Sequence, residues 1–421
     1  MTLSEQPTVI VRMADAGDLY MSWRWLRNEY AQGASMLPGD AITDAVEQFA
    51  RALPNPALPG GLEYAMTTGA FASYDAEYLV ARSLSRALLP YGLAVQLYDL
   101  HVRGVRPHIR LQPSPRVAQI PWEIIAPGPE LRLVDIADIS LLAPASIVHG
   151  PDRTARTWSE TSALPVVAVL DPRVPGFRAD SALGSVLGRM DPKAPLAQRV
   201  AEYSAQGRLL PAVDDPIDAF RRTDIDRSWL SEALHGGASR LTYVGHVTAA
   251  APESGQSEAS ELHLACDAES IGFAAPVRAH RPLSAKDLLL GTHTLTTDPV
   301  AGPQLWPIPS RVALIACESG GDMRFSEALG LVTAMINGGA ELVTASRWPL
   351  PTDFAFQRLA GAPPEAHPLQ DAICAIDAAH EHPDPVTALA TWQRSRLTAW
   401  RTTHAIEYSP LLWSAFATVR T

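Results

Sequence analysis

Four short apolar runs constrain this chain more than any other feature of its sequence. Val166–Leu170 (VVAVL) ends at Asp171-Pro172, Arg240–Val244 (RLTYV) at Gly245-His246, Val312–Ala316 (VALIA) at Cys317, and Glu341–Ala345 (ELVTA) at Ser346. Stretches with helical periodicity separate them, over Asp226–His235, Ser284–Leu290 and Ser326–Asn337. Runs this short and this continuously apolar suit strands covered on both faces. Alternation with helices then implies a largely parallel, buried sheet. In such sheets reactive groups collect at the carboxyl ends of the strands, where the loops diverge. His246 and Cys317 both stand at such ends.

Upstream the pattern is looser. Val9–Met13 reads as a strand, Asp44–Leu53 as an amphipathic helix, Pro54–Gly61 as a turn-rich linker, and Tyr74–Leu89 as a helix stopped by Pro90. Ala94–Tyr98, His108–Leu111 and Pro121–Ile125 read as short β-like pieces. With 47% apolar and 19% charged residues in 421, the composition is that of a globular protein. A net charge of −11 argues against a nucleic-acid surface, which needs a basic patch. No run approaches the length of a membrane-spanning helix. Met1-Thr-Leu-Ser-Glu-Gln-Pro7 lacks the basic stretch and apolar run of a secretory leader. Three cysteines, Cys266, Cys317 and Cys374, are too few for a disulfide framework and suit a reducing compartment. The expectation is a cytoplasmic protein without a membrane segment.

Cys317 leaves its strand into Glu-Ser-Gly-Gly-Asp, so the strand delivers it to a turn. The glycines permit close approach of backbone to a ligand, and a helix starting near Ser326 would direct its positive end at this loop, lowering the thiol pKa. His246 supplies an imidazole able to take a thiol proton and return it to a leaving amine. Each residue also fits an ordinary structural role, a buried strand-end cysteine and a hydrogen-bonded histidine. Paired at the ends of strands in one sheet, they suggest nucleophile and base.

The pairing resembles the CHAT-domain peptidases, relatives of caspases and separase. Tyr243-Val-Gly-His-Val247, Leu314-Ile-Ala-Cys-Glu-Ser-Gly-Gly321 and Val343-Thr-Ala-Ser-Arg-Trp-Pro349 look like that family's successive motifs. Pro121-Trp-Glu-Ile-Ile125, Val169-Leu-Asp-Pro172, Gly330–Ala340 and Ser409-Pro-Leu-Leu-Trp-Ser-Ala-Phe416 match in order from about Tyr74 onward. The resemblance implies an α/β fold: a caspase-like, mostly parallel sheet with helices on both faces, spanning residues 156–421. A smaller α/β region, residues 1–155, would precede it as an inactive caspase-like half. It also implies a cysteine endopeptidase acting through a thioester, with Cys317 and His246 as the dyad. The backbone N–H groups of Val247 and Cys317 would form the oxyanion hole. Where this chain has Val247 the family usually has glycine, which tolerates positive φ better.

The segment after the Trp-Pro strand is implied to line the substrate pocket, with Ser346, Trp348 and Asp353 as its residues. A carboxylate there favours Arg or Lys before the cut, although Thr352 or Asp353 also reads as the N-cap of a helix over Phe354–Leu359. A protein substrate, a regulatory protein acting in trans, and a role in bacterial defence or regulated cell death follow from the same resemblance. No metal or other cofactor is expected: His380 and His382 lack a third ligand and read as a solvated helix end. Cys266, on an alternating strand-like segment, and Cys374, on an apolar helix face, read as core. Two rival classes stay open, a catalytically weak or inactive interaction module, and another hydrolase or transferase on a flavodoxin-like sheet. The latter needs a phosphate loop, which Gly236-Gly237 does not supply.

Overall fold

The computed structural model describes residues 6–27, 30–151 and 153–421. The first five residues, on which part of the leader argument rests, lie outside that set. The chain divides into two compact units: residues up to 142 with Ala355–Pro363 and Asp384–Thr418, and Ala143–Phe354 with Pro364–Pro383 and Val419–Thr421. The two units are thus interleaved along the sequence.

In the first unit, β1 (Thr8–Ala16) pairs antiparallel with β2 (Asp18–Trp25), and β2 antiparallel with β3 (Gly33–Leu37). On its other edge β1 pairs parallel with β4 (His108–Gln112), which pairs parallel with β5 (Asp138–Leu142). Along β2, Leu19, Met21, Trp23 and Trp25 are buried while Tyr20, Ser22 and Arg24 are exposed. That period of two marks a sheet with one face on the core and one on solvent.

Two readings fail in this unit. Ala94–Tyr98 is the middle of a helix, Tyr91–Val102. It buries Leu93, Leu97 and Leu100, a spacing of four and three that a short window reads as alternation. Pro121–Ile125 holds a 3₁₀ turn, Trp122–Ile124, with Trp122, Ile124 and Ile125 packed inside.

The second unit contains β6 (Val166–Leu170), β7 (Leu209–Leu210) and β8 (Arg240–Val244). A short antiparallel sheet follows, of β9 (Val247–Thr248), β10 (Glu261–Leu262) and β11 (Leu283–Ser284). Then come β12 (Arg311–Ile315) and β13 (Leu342–Ser346). The order β13-β12-β8-β6-β7 is parallel at every pairing. Every residue of β6, β8, β12 and β13 is buried, as expected where helices cover a parallel sheet. The last strand, β14 (Phe416–Arg420), ends the fold. The architecture is therefore α/β, with a mostly parallel sheet flanked by helices.

Two strands begin on buried arginines. Arg240, wholly enclosed, donates to Asp377 at 3.1 Å, and Asp377 also accepts from Arg199 at 2.8 Å and from the Tyr203 hydroxyl. Arg311 donates to the carbonyls of His380 and His382 at 2.6 and 2.7 Å. His380 is not a solvated helix end: it is 1% exposed, with Nε2 2.8 Å from the Thr344 hydroxyl. Its last helical turn sits over the sheet.

Candidate active site

β8 and β12 run parallel, with Val244 opposite Ile315 as the last paired residues. The Gly245 N–H still donates to the Ile315 carbonyl, at 3.3 Å. His246 and Cys317 each follow two residues beyond that final pair, so adjacent strands release them at the same end of the sheet.

Gly245 is required by what lies beneath it. The buried Tyr243 hydroxyl donates to the carbonyls of His246, at 2.7 Å, and His263, at 2.8 Å. A Cβ on Gly245 would sit 2.7 Å from that oxygen. Sequence reasoning passed over Tyr243, though a polar aromatic in a buried run two residues before glycine is a usable signal, since a buried phenol must find partners.

Nε2 of His246 lies 3.1 Å from the Gly184 carbonyl. A carbonyl only accepts, so Nε2 carries the hydrogen and Nδ1 of the neutral ring is the acceptor. Burial pushes this imidazole below its ordinary value, opposed by the Gly184 hydrogen bond. The ring is thus held neutral and able to accept.

Cys317 is half-buried, and burial pushes its thiol up, opposed by a backbone hydrogen bond from Leu350. The expected lowering by a helix N-terminus is absent, because the helix starts at Leu331, not Ser326. Its first turn is capped by the buried Asp322 carboxylate, which accepts from Thr333 N–H at 2.8 Å. The favourable end of the helix dipole is occupied by that anion, itself pushed up by burial to about 6. The glycines after Cys317 serve the chain: Gly320 donates to the Ser346 carbonyl at 2.8 Å, and a Cβ there would lie 3.1 Å from that oxygen. The residue with positive φ is Glu318, at 51°.

Val247 lies in β9, opposite Leu262. His263 donates to the His246 carbonyl at 3.2 Å, making 246 and 263 a hydrogen-bonded pair. Antiparallel ladders alternate, so Val247 and Leu262 are a non-hydrogen-bonded pair and the Val247 N–H points away from β10. Valine occupies extended backbone here, where β-branching carries no penalty.

The pocket residues separate. Ser346 and Trp348 are both fully buried, so neither offers side-chain surface to a ligand. Ser346 is instead a strut: its hydroxyl donates to the Ala316 carbonyl and accepts from Ser319 N–H at 3.3 Å. Asp353 begins the helix Asp353–Leu359, but its carboxylate serves a neighbour. It accepts from Leu369 N–H at 2.7 Å and Gln370 Nε2 at 3.1 Å, in the first turn of the helix Pro368–Glu381. Its Oδ2 also stands 3.7 Å from His367 Nδ1.

Cys266 is fully buried beyond the two residues of β10, so the strand expected to carry it is shorter than read. Cys374 is half-buried between the buried Ile373 and Ile376, its thiol pushed up to about 12 by burial. Among the described residues no cluster of three or more His, Cys, Asp or Glu could hold a metal ion, and no helix is long and apolar enough to cross a membrane.

The second unit is thus a parallel α/β domain that releases a thiol and an imidazole at one end of its sheet. The CHAT domain matches residues 79–421, and the chain belongs to that family. Solved structures similar to it include two crystal structures of the Saccharomyces cerevisiae separase–securin complex, at 3.0 and 2.6 Å resolution. Their TM-scores are 0.47 and 0.46 and their identities 11% and 10%, over 99% and 98% of this chain. This chain spans 30% of each of those chains. A comparison with curated proteins finds no match.

Proposed function

We propose that this chain is a cysteine endopeptidase in which Cys317 attacks a peptide carbonyl and His246 carries the proton. The observation that supports this most is the register of β8 and β12, whose last pair stands two residues before both groups. The thiol gives its proton to Nδ1 as sulfur bonds to the carbonyl carbon, and the imidazolium returns it to the leaving amine. Water then hydrolyses the thioester. The N–H groups of Val247 and Cys317 stabilise the oxyanion, a contribution of about 3 kcal/mol per donor. The Val247 N–H is not consumed by β10, which favours this role.

The substrate is a protein cut after Arg or Lys, the basic side chain meeting the Asp353 carboxylate. A regulatory protein acts in trans, and the work belongs to bacterial defence or regulated cell death. The site needs no cofactor. The chain works in the cytoplasm, away from nucleic acid and membrane.

A second reading, a catalytically weak caspase-like module, is favoured by the half-buried thiol, its pKa raised by burial, and the closed positions of Ser346 and Trp348. Labelling with an arginyl chloromethyl ketone, followed by peptide mass spectrometry, separates the two. Modification of Cys317 that is lost in His246→Ala supports the dyad. Unmodified Cys317 together with turnover of an arginyl reporter equal to that of Cys317→Ala would falsify the peptidase. Asp353→Asn should retain the fold and lose the preference for Arg in a cleavage profile.

A further inference from the structure

Asp171 and Arg221, at the sheet end beside His246, have no part in the steps above. Asp171 directly follows β6 and is 1% exposed. Its N–H donates at 2.6 Å to the carbonyl of Val244, the last residue of the strand that leads to His246. Its carboxylate gathers the next loop. Oδ1 accepts from Val186 N–H at 3.2 Å, and Oδ2 from Leu187 N–H at 3.3 Å and the Ser185 hydroxyl at 2.5 Å. Arg221 Nη1 completes the set, 3.3 Å from Oδ1.

The same Nη1 donates to the Gly184 carbonyl at 2.9 Å, so that oxygen receives both Arg221 and His246 Nε2. The peptides on either side of that oxygen are themselves held, Gly184 N–H donating to the Ser181 carbonyl at 2.8 Å and Ser185 N–H to the Ala179 carbonyl at 2.9 Å. Asp171 and Arg221 both adopt left-handed backbone, φ 51° and 56°. Residues other than glycine visit that region at a cost, and it persists where the surroundings over-determine it, often beside functional groups. Here the surroundings converge on one carbonyl.

We propose that Asp171 and Arg221 are positioning residues for His246: they pin the Gly184 carbonyl, which keeps the imidazole proton on Nε2 and presents unprotonated Nδ1 to the Cys317 thiol. The proposal rests on the peptidase reading for its kinetic consequence but not for its structural one. The thiol proton moves to Nδ1, the Nε2–H bond to Gly184 remains intact throughout, and the resulting imidazolium keeps its orientation. Without the pinned carbonyl the ring samples the other tautomer and rotates, and a transferable proton meets no acceptor.

The test uses the full chain with Arg221→Gln, Asp171→Asn and, as a control, Asp180→Ala, an exposed residue of the same loop. Long-range imidazole ¹⁵N spectra in the Cys317→Ala background read the tautomer without any turnover. The His246 ring should show protonated Nε2 with Asp180→Ala and lose that single pattern with Arg221→Gln and Asp171→Asn. On an arginyl reporter, kcat should fall about a hundredfold with KM within about twofold, less than the roughly 10⁴-fold known for a wrong tautomer in a serine triad. Arg221→Lys, which keeps one donor, should restore about tenfold. Should Arg221→Gln and Asp171→Asn not fold, Ser185→Ala removes one bond to Asp171, together with the one from Gly188 N–H, and should lower kcat about fivefold. An unaltered tautomer and kcat in folded variants overturns the proposal. If the unaltered chain turns over no peptide, the peptidase reading falls while the ¹⁵N spectra still decide the positioning role.

Discussion

Ser346→Ala should loosen the Cys317 loop. The oxygen removed lies in a side chain with no solvent exposure and joins two backbone groups, the Ala316 carbonyl and the Ser319 N–H. Alanine fills nearly the same volume, and the two groups keep only a long bond to each other, 3.4 Å from the Ser319 N–H to the Ala316 carbonyl, so a cost of about 1–3 kcal/mol falls on the pair. Ser319 keeps its own hydroxyl contacts, to the Leu314 carbonyl at 2.6 Å and from Ser346 N–H at 3.0 Å, which limits the damage to the turn itself. Taking about 2 kcal/mol as the part expressed in local opening, the open population rises about thirtyfold, at 1.4 kcal/mol per factor of ten. Iodoacetamide labelling of Cys317 at neutral pH, read by intact mass, should accelerate by that factor, with Cys374 labelling unchanged as the internal reference. The reasoning is refuted if the Cys317 rate stays within about twofold and the thermal midpoint does not move.

Three further outcomes follow from particular groups. The Cys317 thiol is raised and the His246 imidazole lowered, so in the resting chain both are neutral; alkylation of Cys317 should climb with pH through a midpoint above the ordinary thiol value of 9.0. A rate plateau already reached near pH 6 would indicate a preformed ion pair and contradict this. Asp377→Ala leaves the enclosed Arg240 charge to Glu381 alone, 3.2 Å away, and should cost about 3 kcal/mol in chemical denaturation; a loss below about 1 kcal/mol would deny the cluster its role. Burial holds His263 near pKa 3, against 6.5 when unfolded. The unfolded chain therefore binds the extra proton, and the stability this group contributes is complete above pH 6.5 and drains as pH falls towards 3. His263→Gln should flatten the pH dependence of the urea midpoint across that window, and an unchanged slope would remove His263 from the account.

The parallel strands and the rim bearing His246 and Cys317 were legible because continuous apolar runs leave only one kind of sheet to join. The groups that set the rim's chemistry were not. Ser346 meets Ala316 across thirty residues and Arg221 meets Gly184 across thirty-seven, and no local pattern encodes such pairs. Helix starts failed for a related reason. Ser326 to Leu329 carry acceptable helix formers, but the helix begins five positions later than Ser326, at Leu331, where Asp322 caps it from the far side of the turn. Asp353 was half legible: its place at a helix start was correct, yet its carboxylate is engaged by a different helix, which sequence spacing does not show.

The carboxylate of Asp322 has a chemical consequence for the sulfur beyond the turn. By claiming the electropositive pole for itself, the chain denies Cys317 the stabilisation that would make it a standing thiolate. Peroxide and stray electrophiles attack thiolates far faster than thiols. A nucleophile stored in protonated form therefore survives between encounters, and its activation falls to whatever docks against the rim.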